Sequence, residues 1–201
     1  MRPATLGLLI ILTALAQNAG ATVTFTYWNN VDHHAVTTTE SALIARARAL
    51  PVIERLTLIN RVVNNAANQT PTRPNEWRGF ASLIRHGEGD CEDFALAKYQ
   101  LLRKTGIADE RLRLYAMKDQ FSPALHMVLG YQDRNQTLIL DNLTLRVLSL
   151  KQRDDLTPLY SFNQQSAERW NQHASTPIPL TSRLTLDGQP LSERAARLMD
   201  Y

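Results

Sequence analysis

The sequence predicts an α+β protein in which helices come first along the chain and an antiparallel sheet follows. Apolar side chains recur at helical spacing between residues 52 and 66 and again between 91 and 105. Three runs rich in β-forming residues then occupy 111–117, 126–133 and 136–143. Because helices and strands are segregated along the chain, we expect N-terminal helices packed on an antiparallel β-sheet.

The first 21 residues have the layout of a secretory signal peptide. Arg2 precedes an apolar run over residues 6–16, and small residues ending at Ala21 provide an A-x-A-like cleavage site. The apolar run is about half the ~20 residues that a membrane-spanning helix needs, and an uncleaved N-terminal anchor is the alternative. We expect residues 1–21 to be removed and residues 22–201 to form one exported domain.

The segments before the cysteine differ in the spacing of their apolar residues. Residues 22–39 are rich in threonine and lack a helical period, which predicts a strand or an extended arm. A helical segment over 41–50 ends at Pro51, because proline breaks a helix interior. An amphipathic helix is predicted over 52–66, and a short apolar stretch at 77–84 predicts one further helical turn.

The clearest helix is predicted over residues 91–105. Asp90 is a natural N-cap, and Asp93 follows three residues later as in a loose capping box. Gly106 is the predicted C-cap. Cys91, the only cysteine in the chain, therefore lies in the first turn of this helix.

The strands after this helix include a predicted hairpin. Residues 134–135 form a short turn between two strand-like runs, so that Asp133 should pair with Gln136. A fourth run at 145–150 is predicted to continue the sheet, and short apolar pieces separated by turns follow it.

Composition limits the classes of function. The chain has 22 Lys and Arg residues against 19 Asp and Glu, a net charge of +3, with no basic block of the kind that marks nucleic-acid binding. One cysteine cannot form an internal disulfide, and a lone thiol is a liability in an oxidising compartment. This favours a thiol kept for chemistry, with an inert buried cysteine as the alternative.

Spacing suggests a nucleophile, a base and an orienting acid. Cys91 lies where the unpaired N–H groups and dipole of a helix favour a thiolate. The register of the hairpin puts His126 diagonally across from Asp141, which interrupts an apolar run and needs a partner if it is buried. The alternative makes His126 a surface residue and Asp141 a turn-former. His86, five residues before the cysteine in a predicted loop, is a rival base.

Acids surround the cysteine and oppose its ionisation. Asp90 and Glu92 flank Cys91, and Asp93 follows. A divalent cation such as Ca²⁺, which takes six to eight oxygen ligands, would offset these charges. The alternative is simple capping, since acids are common in the first turn of a helix.

The motifs resemble those of the bacterial transglutaminase-like cysteine proteinases and, within that family, of the LapG-type periplasmic proteases. They are, in chain order, GEGDCEDFALAKYQLLRKTGI, LRLYAM, HMVLGY and LILDNLTLRVLSLKQRDDLTPLYSFN. The resemblance covers roughly residues 50–165, and the order of the motifs makes it specific.

The resemblance implies a papain/transglutaminase-like core with assigned roles. Cys91 would be the nucleophile, His126 the general base and later acid, and Asp141 the residue that orients His126. It also implies calcium required for activity, held by Asp90 and Glu92, with Asp93 as a further metal residue.

The resemblance further implies a cellular location, a substrate and a regulator. Such proteases act in the periplasm on the N-terminal region of a large repeat adhesin, which promotes biofilm dispersal. An inner-membrane cyclic di-GMP receptor (LapD-like) sequesters them. Two alternatives remain at this point: acyl transfer by a transglutaminase or amidase on the same triad, and a non-catalytic binding domain.

Overall fold

The computed structural model describes residues 22–71, 77–172, 174–179, 185–186 and 189–190. The predicted signal peptide lies outside the described residues. Within those ranges, the helices are all too short or too polar to cross a membrane.

The helices precede the main sheet along the chain. The first part contains, in order, β1 (Thr24–Asn29), β2 (His34–Thr39), α1 (Glu40–Arg48), α2 (Val52–Asn64), β3 (Asn68–Gln69), α3 (Phe80–His86), β4 (Glu88–Gly89) and α4 (Cys91–Lys104). The second part contains β5 (Leu112–Asp119), β6 (Leu125–Asp133), β7 (Gln136–Leu140), β8 (Leu148–Ser149), β9 (Leu156–Phe162), β10 (Ala167–Asn171), β11 (Ala174–Ile178), β12 (Thr185–Leu186) and β13 (Gln189–Pro190).

The α+β prediction is confirmed. Seven strands form one sheet in the order β11-β10-β9-β5-β6-β7-β8, and every ladder in it is antiparallel. The predicted hairpin is present, with Asp133 paired to Gln136 across the two-residue turn. The N-terminal segment differs from the predicted single strand or arm, because β1 and β2 pair as a separate hairpin.

The strands after β7 also differ from the prediction. The sequence predicts short apolar pieces separated by turns there, whereas the chain forms the strands β9 and β11, which contain Pro158 and Pro177. Pro158 lies beside an irregularity in the β5–β9 ladder, and Pro177 lies on the edge strand β11. Bulges and edges are the sheet positions that tolerate a missing N–H, so both strands can include a proline.

The chain leaves the ladder earlier than predicted after β7. The predicted strand over 136–143 ends at Leu140, and the run at 145–150 contributes only the two residues of β8. The side-chain amides of Asn60 and Asn64 in α2 donate hydrogen bonds to backbone carbonyls in this segment. These carbonyls are bound to a helix instead of a neighbouring strand.

Helix α4 is the centre of the molecule. It contacts α2 and α3 on one side and β5 and β6 on the other. All residues from 93 to 102 are buried, and the main apolar core lies between these helices and the sheet. A smaller core on the opposite face of the sheet contains Tyr115, Met117, Val128, Ile139 and Leu156.

Candidate active site

Cys91 is the first residue of α4, as predicted. Asp90 caps the helix through its side chain, and Asp93 completes the capping box by accepting the Asp90 backbone N–H. The helix ends at Lys104, one residue earlier than predicted; Thr105 is the C-cap, and Gly106 follows it at a left-handed φ of 93°. The half-buried thiol lies beside β6, where the Met127 backbone is a hydrogen-bond partner that lowers its pKa.

His126 and Asp141 meet past the end of a strand ladder. The β6–β7 pairing ends at Leu129 and Leu140, so neither residue is in a paired position of this hairpin. Their side chains nevertheless touch, with His126 Nε2 2.8 Å from Asp141 Oδ1, and both residues are buried. Cys91 thus contacts the backbone of Met127, the residue that follows His126 in β6.

Asp141 is fully buried, at 0% exposure, and several groups compensate its charge. Burial alone would raise its pKa, but His126, the Leu143 backbone N–H and Arg153 outweigh that effect and hold the pKa well below its usual range. The Leu143 amide donates to Oδ1 at 3.0 Å, and Arg153 Nη1 lies 2.8 Å from Oδ2. The carboxylate is therefore ionised at neutral pH.

Arg153 is a site residue that the sequence analysis missed. Its Nε and Nη2 donate to the two oxygens of Asp155 at 2.8 and 2.7 Å, while its Nη1 forms the ion pair with Asp141. Hydrogen bonding to Asp155 and contact with Asp141 raise its pKa despite burial, so it remains a cation. Its position, twelve residues after Asp141 in a polar stretch, gave no periodic signal.

Lys98 is a second group that spacing did not identify. It lies on α4, seven residues after Cys91, and is 0% exposed. Its Nζ has no hydrogen-bond partner among the described residues. Burial lowers the pKa of Lys98 to about 7, and the charge of Asp141 opposes that shift.

The acids around Cys91 are crowded. Burial, followed by the charge of Asp90 and a hydrogen bond with it, raises the pKa of Glu92 to about 7. Burial and Asp90 likewise raise the pKa of Asp93 to about 6. The Cys91 thiol donates to Glu92 Oε2 at 3.2 Å. Burial and then the charge of Glu92 raise the pKa of Cys91 above its ordinary value, so the resting thiol is protonated.

Two of the three predicted metal residues suit a calcium ion. The side chains of Asp90 and Glu92 lie close enough to hydrogen-bond, and their mutual repulsion is the kind that a bound cation relieves. Asp93 differs, because its oxygens accept the backbone amides of Arg78 and Asp90 at 2.6 and 3.2 Å. Among the described residues, no three His, Cys, Asp or Glu side chains are grouped as metal ligands.

The other histidines lie in different surroundings. His86 is exposed at the end of α3, where its Nδ1 contacts the Ser82 carbonyl oxygen at 2.8 Å. His33 and His34 are exposed in the β1–β2 hairpin. His173 lies outside the described residues. Of the described histidines, His126 alone hydrogen-bonds a carboxylate.

Comparison with known proteins identifies the family. Residues 18–176 match the bacterial transglutaminase-like cysteine proteinases, a stretch that contains α4 and the whole seven-stranded sheet apart from the last two residues of β11. The chain belongs to this family. It is therefore a cysteine protease by class, with the α+β fold of its relatives.

Solved structures of Legionella pneumophila LapG are similar to this chain. One shares 31% identity with a TM-score of 0.58 and covers 64% of this chain and 72% of LapG. A calcium-bound LapG structure shares 30% identity, with a TM-score of 0.59 and coverage of 68% and 81%. An EGTA-treated one shares 29% identity, with a TM-score of 0.61 and coverage of 69% and 78%. A search of curated proteins gave no match.

Proposed function

We propose that this chain is a calcium-dependent periplasmic cysteine protease that cleaves the N-terminal region of a large surface adhesin. The observation that carries the proposal is the buried contact between His126 Nε2 and Asp141 Oδ1 beside a cysteine at a helix start. Membership of the cysteine proteinase family and similarity to LapG support it.

His126 acts as the proton carrier. With Nε2 held by Asp141, the second ring nitrogen, Nδ1, serves the Cys91 thiol. The imidazole takes the thiol proton, and the thiolate attacks the carbonyl carbon of the scissile peptide. The imidazolium then gives its proton to the leaving amine, which breaks the C–N bond and leaves a thioester. Water, deprotonated by His126, attacks the thioester and releases the acid product and the Cys91 thiol.

The start of α4 stabilises charge in two of these steps. Amide N–H groups in the first turn have no acceptor within the helix, so the Cys91 backbone N–H can donate to the oxyanion. The Met127 backbone favours the thiolate, whereas Glu92 opposes it. Calcium held by Asp90 and Glu92 supplies positive charge that offsets these carboxylates.

The substrate and the regulator rest on similarity to LapG-type proteases. We infer a large repeat adhesin as substrate, whose release promotes biofilm dispersal. We also infer a cyclic di-GMP receptor of the inner membrane, LapD-like, as the regulator. The predicted signal peptide supports a periplasmic location.

Cleavage of an N-terminal adhesin fragment tests the proposal. Purified mature protein is assayed on a gel with calcium, with EGTA, and with EGTA back-titrated by calcium. Cleavage should stop in EGTA and return with calcium. Cleavage that continues unchanged in EGTA would show that calcium is not required. A new product mass in the presence of added amine would indicate acyl transfer to that amine.

Two variants and a matched control test the residues. Cys91→Ala and His126→Ala should abolish cleavage while the protein stays folded. His86→Ala removes an exposed histidine that binds only its own helix, so it should retain activity. Cleavage by Cys91→Ala would exclude the cysteine mechanism, and loss of cleavage in His86→Ala would favour the rival base.

A further inference from the structure

Arg153 links two carboxylates in a continuous chain that ends on His126. Its guanidinium binds both oxygens of Asp155 on one edge and lies 2.8 Å from Asp141 Oδ2 on another. The other oxygen of Asp141, Oδ1, contacts His126 Nε2 at 2.8 Å. The order is therefore Asp155, Arg153, Asp141 and His126.

Both ends of this chain are fixed. Asp155 accepts the Gln120 backbone N–H through its carbonyl at 3.0 Å, which ties its backbone to the end of β5. The Asp141 carbonyl accepts from Asn64 of α2 at 2.7 Å. The guanidinium group of arginine is planar and rigid. Because Asp155 binds its Nε and Nη2, the direction of its third nitrogen, Nη1, is fixed as well.

The contact with Arg153 selects one orientation of the Asp141 carboxylate. Rotation about the last bond of an aspartate is broad and roughly two-fold. With Oδ2 held by Arg153 and Oδ1 bound by the Leu143 N–H, a single orientation aims Oδ1 at His126. Arg153 also adds a positive charge on the side of Asp141 away from the imidazole, which weakens the attraction between Asp141 and a protonated His126.

We propose that Arg153, braced by Asp155, is a positioning residue that fixes the Asp141 carboxylate on His126 and limits how strongly that carboxylate stabilises the protonated imidazole. The role in catalysis rests on the proposed function, whereas the effect on the imidazole does not.

Other ionisable groups surround the His126–Asp141 pair. β5 places the uncharged Met117 opposite His126. The charged groups that interact with Asp141 are Lys98 from α4 and Arg153 and Asp155 from the segment after β8. The Cys91 thiol of α4 contacts the backbone of Met127, the residue after His126, and donates to Glu92. Lys98 stays in place in every variant below, so a change specific to the Arg153 variants reports the arginine.

The test compares Arg153→Met, Arg153→Lys and Asp155→Asn with the control Arg113→Met. Arg113 is equally buried, 7% exposed against 8% for Arg153, but binds Ser161 and Ser166 instead of Asp141. The His126 imidazole is titrated by NMR in isotope-labelled protein and assigned with His126→Gln. This readout needs no substrate. Cleavage kinetics and thermal unfolding are measured in parallel.

Arg153→Met should move the midpoint of the His126 NMR titration to higher pH than in the wild type, because a nearby cation is removed. Arg153→Lys keeps the charge and should leave the midpoint near that of the wild type while lowering kcat. Asp155→Asn weakens the binding of the Arg153 guanidinium, so it should lower kcat without raising the midpoint of the His126 titration. Arg113→Met should lower the unfolding temperature and leave the midpoint unchanged.

If the His126 titration midpoint of Arg153→Met equals that of the wild type, Arg153 does not limit the stabilisation of the protonated imidazole. If Asp155→Asn keeps the wild-type kcat, Arg153 does not need Asp155 to position the Asp141 carboxylate, and that role is overturned. If Arg153→Met does not fold, kcat of Arg153→Lys and of Asp155→Asn still tests the positioning role, and wild-type kcat in either variant overturns it. A protein that shows the midpoint shift but cleaves nothing would refute the proposed protease and leave the arginine's effect on His126 standing.

Discussion

Asp141 is buried yet ionised, because three different groups share its charge. His126 and the Leu143 amide bind one oxygen, and Arg153 pairs with the other. An unpaired buried carboxylate would instead take up a proton. The structure thus gives the imidazole a carboxylate that is always charged at neutral pH and always in one place.

Asp141→Asn tests what that charge does. The amide keeps the shape of the side chain but favours the wrong imidazole tautomer, so we expect kcat/KM to fall by roughly 10²- to 10⁴-fold. Cleavage of the adhesin fragment measures the rate, and circular dichroism checks that the fold is retained. An undiminished rate in a folded variant would remove Asp141 from the catalytic group.

Lys98 makes stability depend on pH. The unfolded chain holds its lysine proton up to about pH 10.4, whereas folded Lys98 loses its proton near a pKa of about 7. Between these values the unfolded state binds more protons, so the folded state gains stability as pH rises from about 7 to about 10. Below about pH 7 the full penalty of the buried charge is present.

Lys98→Met should remove this dependence. At pH 6 we expect the variant to be more stable than the wild type by on the order of 2–4 kcal/mol, with the difference shrinking as pH approaches 10. Urea unfolding at several pH values measures it. Lys118→Met, at an exposed position of β5, is the control and should show no such trend. A pH-independent difference for Lys98→Met would mean that Lys98 is not titrating in this range.

At the level of elements, the acids at the start of α4 serve both helix capping and the hypothetical calcium site. Asp90 caps the helix, and Asp93 closes the capping box and also binds the Arg78 amide. Glu92 takes no part in that box and faces the thiol. The capping hypothesis and the calcium hypothesis from the sequence are therefore compatible, because different side chains and different oxygens are involved.

Two substitutions of Asp90 separate these uses. Asparagine caps a helix as well as aspartate does, so Asp90→Asn should keep the unfolding temperature measured in EGTA but lose the rise caused by calcium. Asp90→Ala should lose both, at a cost of about 1 kcal/mol for the cap. Glu88→Gln, at a nearby exposed acid, should respond to calcium like the wild type. A full calcium response in Asp90→Asn would exclude Asp90 as a required ligand.

Helix α2 fixes the segment that carries Asp141. Asn64 donates to the carbonyls of Asp141 and Thr144 at 2.7 and 3.0 Å. Asn64→Ala should destabilise the protein by roughly 1–3 kcal/mol and lower kcat/KM, because buried carbonyls lose their partner and Asp141 loses an anchor. Asn65→Ala removes an amide that donates to the Arg61 carbonyl near the end of α2 and should affect stability alone. Equal rate loss in both variants would argue against the anchor.

For the whole molecule, α4 joins the helical layer to the sheet. Since the main core is continuous from α1 and α2 through α4 to the strands, neither layer keeps its apolar face covered without the other. We therefore expect one cooperative unfolding transition. Fluorescence, to which the buried Trp77 contributes, and far-ultraviolet circular dichroism should give the same urea midpoint. Separate midpoints would show that the layers unfold independently.

The sequence by itself determined the order of helices and strands, the position of Cys91 at a helix start and the hairpin register that, continued past its last pair, brings His126 near Asp141. These features depend on local spacing: the period of apolar residues, a capping pair and a two-residue turn. The sequence also carried the family resemblance, which the comparisons bear out.

Only the tertiary structure decided which groups surround that pair. Arg153 reaches Asp141 from a segment beyond β8, Asn64 reaches it from α2, and the buried Lys98 on α4 interacts with its charge. The strands β9 and β11, where the sequence predicted only short apolar pieces separated by turns, also form by pairing with neighbouring strands. Contacts between residues far apart in the chain leave no period or spacing in a single sequence, so the charges that set the behaviour of Asp141 and His126 appear only when the chain is folded.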